Sequence, residues 1–163
     1  MKKTIFWDFD GTLVYSESVG SKSLYKSISA TARDCAVELE EIRKHMRTGF
    51  TWHTPERDYL ESTGGLWWDR LLSYFTSVNR RLGMDAELAE KAALRVKSEI
   101  LNAENYRLYE DAVLILEACV KAGYVNYILS NNFPELPDVI GRLGLSEHFA
   151  GYIVSAGVGY EKP

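Results

Sequence analysis

The chain has 163 residues, 46% of them apolar and 26% charged, with a net charge of -4 at neutral pH. That length suits one folded domain carrying a small insertion, and the charge offers neither a basic field for nucleic acid nor a polybasic patch for a membrane surface. No run approaches the roughly 18 apolar residues of a membrane span, and the apolar run behind Lys2 and Lys3 breaks at Asp8, too early for a secretion signal.

The first element is an apolar run from Thr4 to Phe9, which reads as a short buried strand ending in two carboxylates, Asp8 and Asp10. Gly11 then permits a sharp turn. Desolvating a carboxylate is costly without a partner, so this pair calls for one, and a divalent cation with its preference for oxygen ligands is the simplest. Ser16-Glu17-Ser18 carries helix-start chemistry for a helix running to Thr31. Val37 to Met46 has helical spacing, with Leu39, Ile42 and Met46 on one face, and a loop rich in aromatic and polar residues follows from Gly49 to Gly65. Leu66 to Leu82 is the clearest amphipathic helix, with Trp67, Leu71, Phe75, Val78 and Leu82 at steps of three and four and Gly83 as its stop. Asp85 can cap the next helix, whose stripe is Leu88, Ala92, Val96 and Ile100. Residues 17–105 therefore read as a helical block without a strand.

The pattern then changes. Asp111 to Ala122 reads as a helix with Val113, Leu116, Cys119 and Val120 inward, Tyr124 to Leu129 as a second strand, Pro134-Glu135 as a helix start, and Gly151 to Ser155 as a third strand. Alternation of strand and helix predicts a parallel α/β sheet interrupted by the helical block. Cys35 and Cys119 form no CxxC pair and read as free thiols of a reducing, cytoplasmic setting.

Ligands of open parallel sheets gather at the carboxyl ends of the strands. Asp8 and Asp10, then Ser130, Asn131 and Asn132, then Lys162 all fall at that edge. The set suits phosphoryl transfer. One carboxylate can attack phosphorus and a second can move the protons. A hydroxyl and backbone N–H groups can hold phosphate oxygens, and a lysine can offset the charge that develops.

Asp8-Phe9-Asp10-Gly11-Thr12-Leu13 resembles the first motif of the haloacid dehalogenase (HAD) superfamily. Leu129-Ser130-Asn131-Asn132 resembles its second motif, and Gly159-Tyr160-Glu161-Lys162-Pro163 its third. The resemblance implies an α/β fold, a HAD-like Rossmannoid three-layer parallel sheet, with an all-α cap of the family's first type inserted after strand one. Residues 1–16 and 106–163 would form the core and 17–105 the cap. It implies an Mg²⁺-dependent phosphatase of the phosphoglycolate phosphatase-like kind, acting on a small phosphorylated metabolite through an aspartyl-phosphate. Asp8 would be nucleophile and metal ligand, and Asp10 general acid/base, with its main-chain carbonyl also a metal ligand. Ser130 would bind the phosphoryl group with the backbone at Gly11 and Asn131, Lys162 would tie that group to Asp8, and Thr12 would support the turn. Asp10 argues against a dehalogenase or a phosphonatase.

The family's fourth motif, an acidic pair after a further strand, has no counterpart before Pro163, so the sequence is expected to be a C-terminally truncated version of a longer protein with an incomplete metal site. The alternatives are a sugar phosphomutase, or a non-catalytic phosphate-binding module if the natural chain ends there. In the block, Trp52, His53, Arg57 and Tyr59 are candidates for a substrate-facing loop, against a plain surface loop stapled onto Trp67 and Trp68, and Arg47 is a candidate for an anionic substrate tail. Glu38, Glu40 and Glu41 read as a solvated helix face.

Overall fold

The computed structural model describes residues 3–15, 18–32 and 35–162. The expected helix start at Ser16-Glu17 and the terminal Pro163 lie outside them. Strand β1 (Lys3–Trp7) stops one residue short of Asp8, so Asp8 opens the turn that follows. Phe9, expected to end the strand, is instead fully buried in the turn, and its carbonyl accepts from the N–H groups of Leu13 (2.9 Å) and Val14 (3.2 Å). Gly11 makes this possible with φ 73°.

The chain leaves the sheet through β2 (Val14–Tyr15) and enters helix α1 (Val19–Thr31). The expected cap chemistry at Ser18 is absent: Ser18 is left-handed at φ 58° and makes no side-chain cap bond. Helix α2 (Leu39–His45) buries Ile42. The loop after it contains two short 3-10 turns, Thr51–His53 and Leu60–Ser62. Helix α3 (Gly65–Arg81) buries Trp67, Leu71, Phe75 and Val78, the stripe read from the sequence. Helix α4 (Ala86–Ile100) is capped by Asp85, whose carboxylate accepts from the Leu88 N–H at 3.0 Å.

Small side chains let α4 lie close to its neighbours. Ala89, Ala92 and Ala93 on α4 and Ser23 and Ser27 on α1 are all buried, and the Ser27 hydroxyl donates to the Ser23 carbonyl at 2.8 Å, so its polar atom is satisfied within its own helix. Asn79 of α3 is fully buried and donates to the Ala89 carbonyl at 2.8 Å, tying α3 to α4.

The return is through β3 (Arg107–Leu108), which pairs antiparallel with β2. The sequence reading foresaw no such ribbon. Helix α5 (Ala112–Lys121) follows, then β4 (Tyr124–Ser130), α6 (Leu136–Arg142), β5 (Gly151–Val154) and a short α7 (Ser155–Val158), also unforeseen. The parallel sheet has the order β1-β4-β5. Its register pairs Trp7 with Ile128 and Ser130 with Val154, which brings the three strand ends to one edge.

One face of the sheet is closed. Asn126 is buried there, accepts from the Trp7 indole N–H (3.0 Å) and donates to the Leu116 carbonyl of α5 (3.4 Å). The other face carries Phe6, Tyr127, Leu129 and Ile153, with Phe6 55% and Ile153 39% exposed. On α5, Leu116 points inward as expected, whereas Val120 points out. Side-chain ties through two carboxylates join the helical block to the sheet's edge. Glu135 accepts from the Trp68 indole N–H (2.7 Å) and pairs with Lys97 (2.6 Å), and Glu161 accepts from the Tyr59 hydroxyl (2.7 Å).

Candidate functional site

Asp8 stands at the centre of the polar edge. Its Oδ1 accepts from the Ser130 hydroxyl at 2.9 Å and from the Phe9 N–H at 2.8 Å, and its Oδ2 forms an ion pair with Lys162. The three residues come from the ends of β1 and β4 and from the segment beyond α7, places where a parallel sheet leaves polar groups unpaired. Lys162 is held at its backbone too. Its N–H donates to Asn131 Oδ1 (2.7 Å), and the Asn131 amide donates back to its carbonyl (3.2 Å).

Asp10 is oriented by Asn132, whose Nδ2 donates to Asp10 Oδ2 at 2.6 Å and also reaches the Ser130 hydroxyl at 3.4 Å. Asn132 is buried, and its own N–H donates to the Ser155 hydroxyl at 3.0 Å. One asparagine thus links the second acid to the hydroxyl that serves the first. Asn132 is one of the residues that the sequence places at this edge; the bond to Asp10 is what the structure adds.

These residues open into a cavity of about 570 Å³ between the sheet's edge and the helical block. Asp8, Asp10, Asn131, Asn132 and Lys162 form one wall, and Arg43, Met46, Phe50, Trp52, His53 and Trp67 form the opposite one. Gly11 and Thr12 are not brought to the cavity wall, and Ser130, buried at 2% exposure, lies behind it, reaching the site through Asp8. The Gly11 N–H donates to the Val14 carbonyl (2.9 Å), so it serves the turn and is not free for a ligand. Trp52 and His53 line the cavity as one of the two sequence readings has it; Arg57, Tyr59 and Arg47 do not. The sequence reading missed Arg43. Its Nη1 lies 3.3 Å from Glu40, while its Nε is buried without a hydrogen-bond partner among the described residues.

The opposite wall is built on aromatic packing. Phe50 and Trp52 stack with ring centroids 4.3 Å apart and planes 9° from parallel. His53 Nδ1 accepts from the Phe50 N–H at 3.3 Å, and partial burial lowers the histidine's pKa, which favours the neutral ring that can accept. Tyr106, buried beside Asp10, has its hydroxyl pKa raised first by burial and then by the Asp10 charge, and its O–H donates to the Ile100 carbonyl (3.0 Å).

Asp8 and Asp10 supply hard oxygen donors on one cavity wall. Among the described residues no cluster of three or more His, Cys, Asp or Glu suited to a metal exists. Two carboxylates with the remainder of the shell from water and substrate is a common way to hold Mg²⁺, so the donor set fits that ion. Among the described residues no helix is long and apolar enough to cross a membrane.

Known proteins resemble the chain along nearly its whole length. Haloacid dehalogenase-like hydrolase domain-containing protein 3 of Mus musculus is 27% identical over 168 residues, covering 99% of this chain and 64% of its own. The crystal structure of the HAD-hydrolase YfnB from Bacillus subtilis, bound to magnesium, superposes with a TM-score of 0.70 at 15% identity, over 99% of this chain and 69% of that one. A predicted phosphoglycolate phosphatase from Haemophilus somnus 129pt matches with a TM-score of 0.59 at 19% identity, over 99% and 66%. These structural likenesses establish a shared fold, and this chain spans somewhat under two thirds of the length of the mouse relative. The family model for haloacid dehalogenase-like hydrolases matches residues 2–163, and with the parallel sheet and its edge of strand-end acids already in view, the chain belongs to that family of hydrolases.

Proposed function

We propose that the protein is a phosphatase that hydrolyses a small phosphomonoester through an aspartyl-phosphate, with Asp8 as nucleophile and Asp10 as general acid and base. The activity is proposed for the protein as a whole, of which relatives have a longer chain. One observation carries the reading. A hydroxyl (Ser130) and an ammonium (Lys162) converge on the two oxygens of one carboxylate, and a second carboxylate on the same wall is held by Asn132.

In the first step an Asp8 oxygen forms a bond to phosphorus, the bond from phosphorus to the ester oxygen breaks, and Asp10 gives its proton to the departing oxygen. In the second step a water attacks phosphorus, Asp10 takes its proton, and the bond to Asp8 breaks to release phosphate. Ser130 and Lys162 hold phosphoryl oxygens as negative charge develops on them. Asn131 acts through the Lys162 backbone, and Asn132 aims Asp10. Gly11 and Thr12 serve by shaping the turn that puts Asp10 beside Asp8. Bound by Asp8 and Asp10, Mg²⁺ would screen the repulsion between an anionic nucleophile and an anionic ester.

Residues 17–105 act as a cap that selects the leaving group. Support comes from the cavity's second wall, where Arg43 is the cationic side chain and, among the described residues, its Nε has no hydrogen-bond partner. That wall suits a leaving group with a negative charge of its own, such as a carboxylate.

The test is the Asp8→Asn variant of the full-length protein, assayed for release of phosphate from an aryl phosphate with Mg²⁺ present. Hydrolysis is expected to fall to background while the melting curve stays cooperative. Turnover close to the parent protein's would remove Asp8 from the nucleophile's place.

A further inference from the structure

We propose that Tyr59 is a positioning residue for Lys162, acting through Glu161, an inference that rests on the pairing of Lys162 with Asp8 in the reading above. Glu161 precedes Lys162 and is only 8% exposed. One of its carboxylate oxygens accepts from the Tyr59 hydroxyl at 2.7 Å, and the other has no hydrogen-bond partner among the described residues. The tyrosine is therefore the protein group that keeps this buried carboxylate in place. A buried acid with a single partner gives up its position when that partner is removed, because water becomes its best alternative.

The backbone makes the same connection. The Tyr59 N–H donates to the Gly159 carbonyl and the Gly64 N–H to the Ala156 carbonyl, both at 2.9 Å. Gly159 lies at φ 80°, and a side chain there would come within 2.8 Å of the Leu60 side chain and 3.0 Å of its Cα. A glycine at this position lets residues 59–64 lie directly on the segment that delivers the lysine. Lys162 is thus gripped from two sides. Asn131 holds its peptide from the sheet, while Tyr59 holds the preceding residue from the helical block. Tyr59 itself does not line the cavity, so it touches neither substrate nor reacting atoms. It lies six residues beyond His53, in the loop that supplies the cavity's aromatic wall, so the wall and the lysine are anchored through one segment.

The proposal is read from the reactivity of the Lys162 amine, which needs no turnover. The full-length protein is labelled with limiting acetic anhydride well below its melting temperature, and acetylation of Lys162 is measured by mass spectrometry relative to exposed Lys91. Tyr59→Phe should raise Lys162 labelling at least threefold while Lys91 is unchanged. Glu161→Ala removes the same bond from the other side and should give the same rise, which covers the case in which one variant does not fold. Asp8→Asn reports on the pairing itself and should also raise labelling, whether or not the protein hydrolyses any ester. A rise in Asp8→Asn with none in the Tyr59 and Glu161 variants overturns the positioning role alone. No rise in Asp8→Asn overturns the pairing on which it rests. In the hydrolysis assay, Tyr59→Phe should lower kcat several-fold with KM within twofold of the parent, a split that general loosening of the fold would not produce.

Discussion

Replacing Asn132 by alanine tests whether the second acid needs its orienting amide. The amide donates to Asp10 at 2.6 Å, a short bond to a charged acceptor, inside a residue only 5% exposed. Such bonds contribute about 1.5–3 kcal/mol. If all of it is lost from the transition state, kcat falls about 10- to 150-fold, at roughly 1.4 kcal/mol per factor of ten. The backbone N–H of residue 132 keeps its bond to the Ser155 hydroxyl, whereas the Phe133 N–H loses its acceptor, Asn132 Oδ1 at 3.1 Å, a stability cost that the melting curve reads separately from kcat. Asn132→Asp is the matching control: it keeps the side chain's size and replaces the donor with an anion facing Asp10. It should be at least as damaging as alanine if the donor is what matters, and near the parent if only the volume does. The assay is steady-state hydrolysis of an aryl phosphate with a melting curve for each variant. An Asn132→Ala protein with kcat within twofold of the parent, or an active Asn132→Asp protein, would refute the reasoning.

Arg43→Gln should raise KM about tenfold or more for phosphomonoesters whose leaving group carries a carboxylate and leave neutral esters within twofold, since a charge-assisted bond is lost only with the former; equal effects on both would move the guanidinium out of the leaving-group pocket. His53 has its pKa lowered from an ordinary 6.5 by partial burial, and its neutral Nδ1 accepts from Phe50. Its support of the aromatic loop is therefore complete above pH 6.5 and is lost as the pH falls, because the opened loop binds the proton first. Tryptophan fluorescence should shift on acidification below pH 6.5 in the parent and stay flat in His53→Gln and in Trp52→Phe; an unchanged shift in the histidine variant would refute this.

The sheet's edge was legible because two simple signals coincide there. Apolar runs with β-prone residues mark the strands, and a polar residue directly after such a run marks a strand end. Asp8 and Ser130, far apart in sequence, meet for that reason, and Lys162 reaches them from the segment beyond α7. Elements of two residues were not legible. β2 and β3 are too short to show alternation, and only their pairing reveals them. The helix after β5 was hidden because Ser155-Ala156-Gly157-Val158 has no stripe to read. Arg47 was named and Arg43 missed because the place where α2 ends was not legible. The helix stops at His45, so Arg43 stays on its cavity-facing side and Arg47 falls beyond it and is exposed. Gly11 looked like a ligand-facing turn; its N–H is spent on the turn itself.

The cavity's two walls are made by different parts of the chain and answer to different constraints. On the sheet side, Asp8, Asp10, Ser130 and Asn132 are linked by bonds of 2.6–3.4 Å into one network, so a change at any of them disturbs the others. On the helical side, Arg43, Met46, Phe50 and Trp52 come from one short helix and the loop behind it, and their contacts are mainly stacking and apolar packing. Such contacts accept exchange of one apolar side chain for another of like size at modest cost. Substitutions on the sheet side should therefore decide whether an ester is cleaved, and substitutions on the helical side which ester it is. The carboxylates Glu135 and Glu161 join the two sides through side chains, beside the backbone bonds from Tyr59 to Gly159 and from Gly64 to Ala156. Because Glu161 adjoins Lys162 and Glu135 follows the Ser130-to-Phe133 turn, both ties end within a few residues of the network. A new leaving group that displaces the helical wall would thus be felt at the sheet wall through these two carboxylates, and a selective variant that keeps full turnover must leave both ties intact.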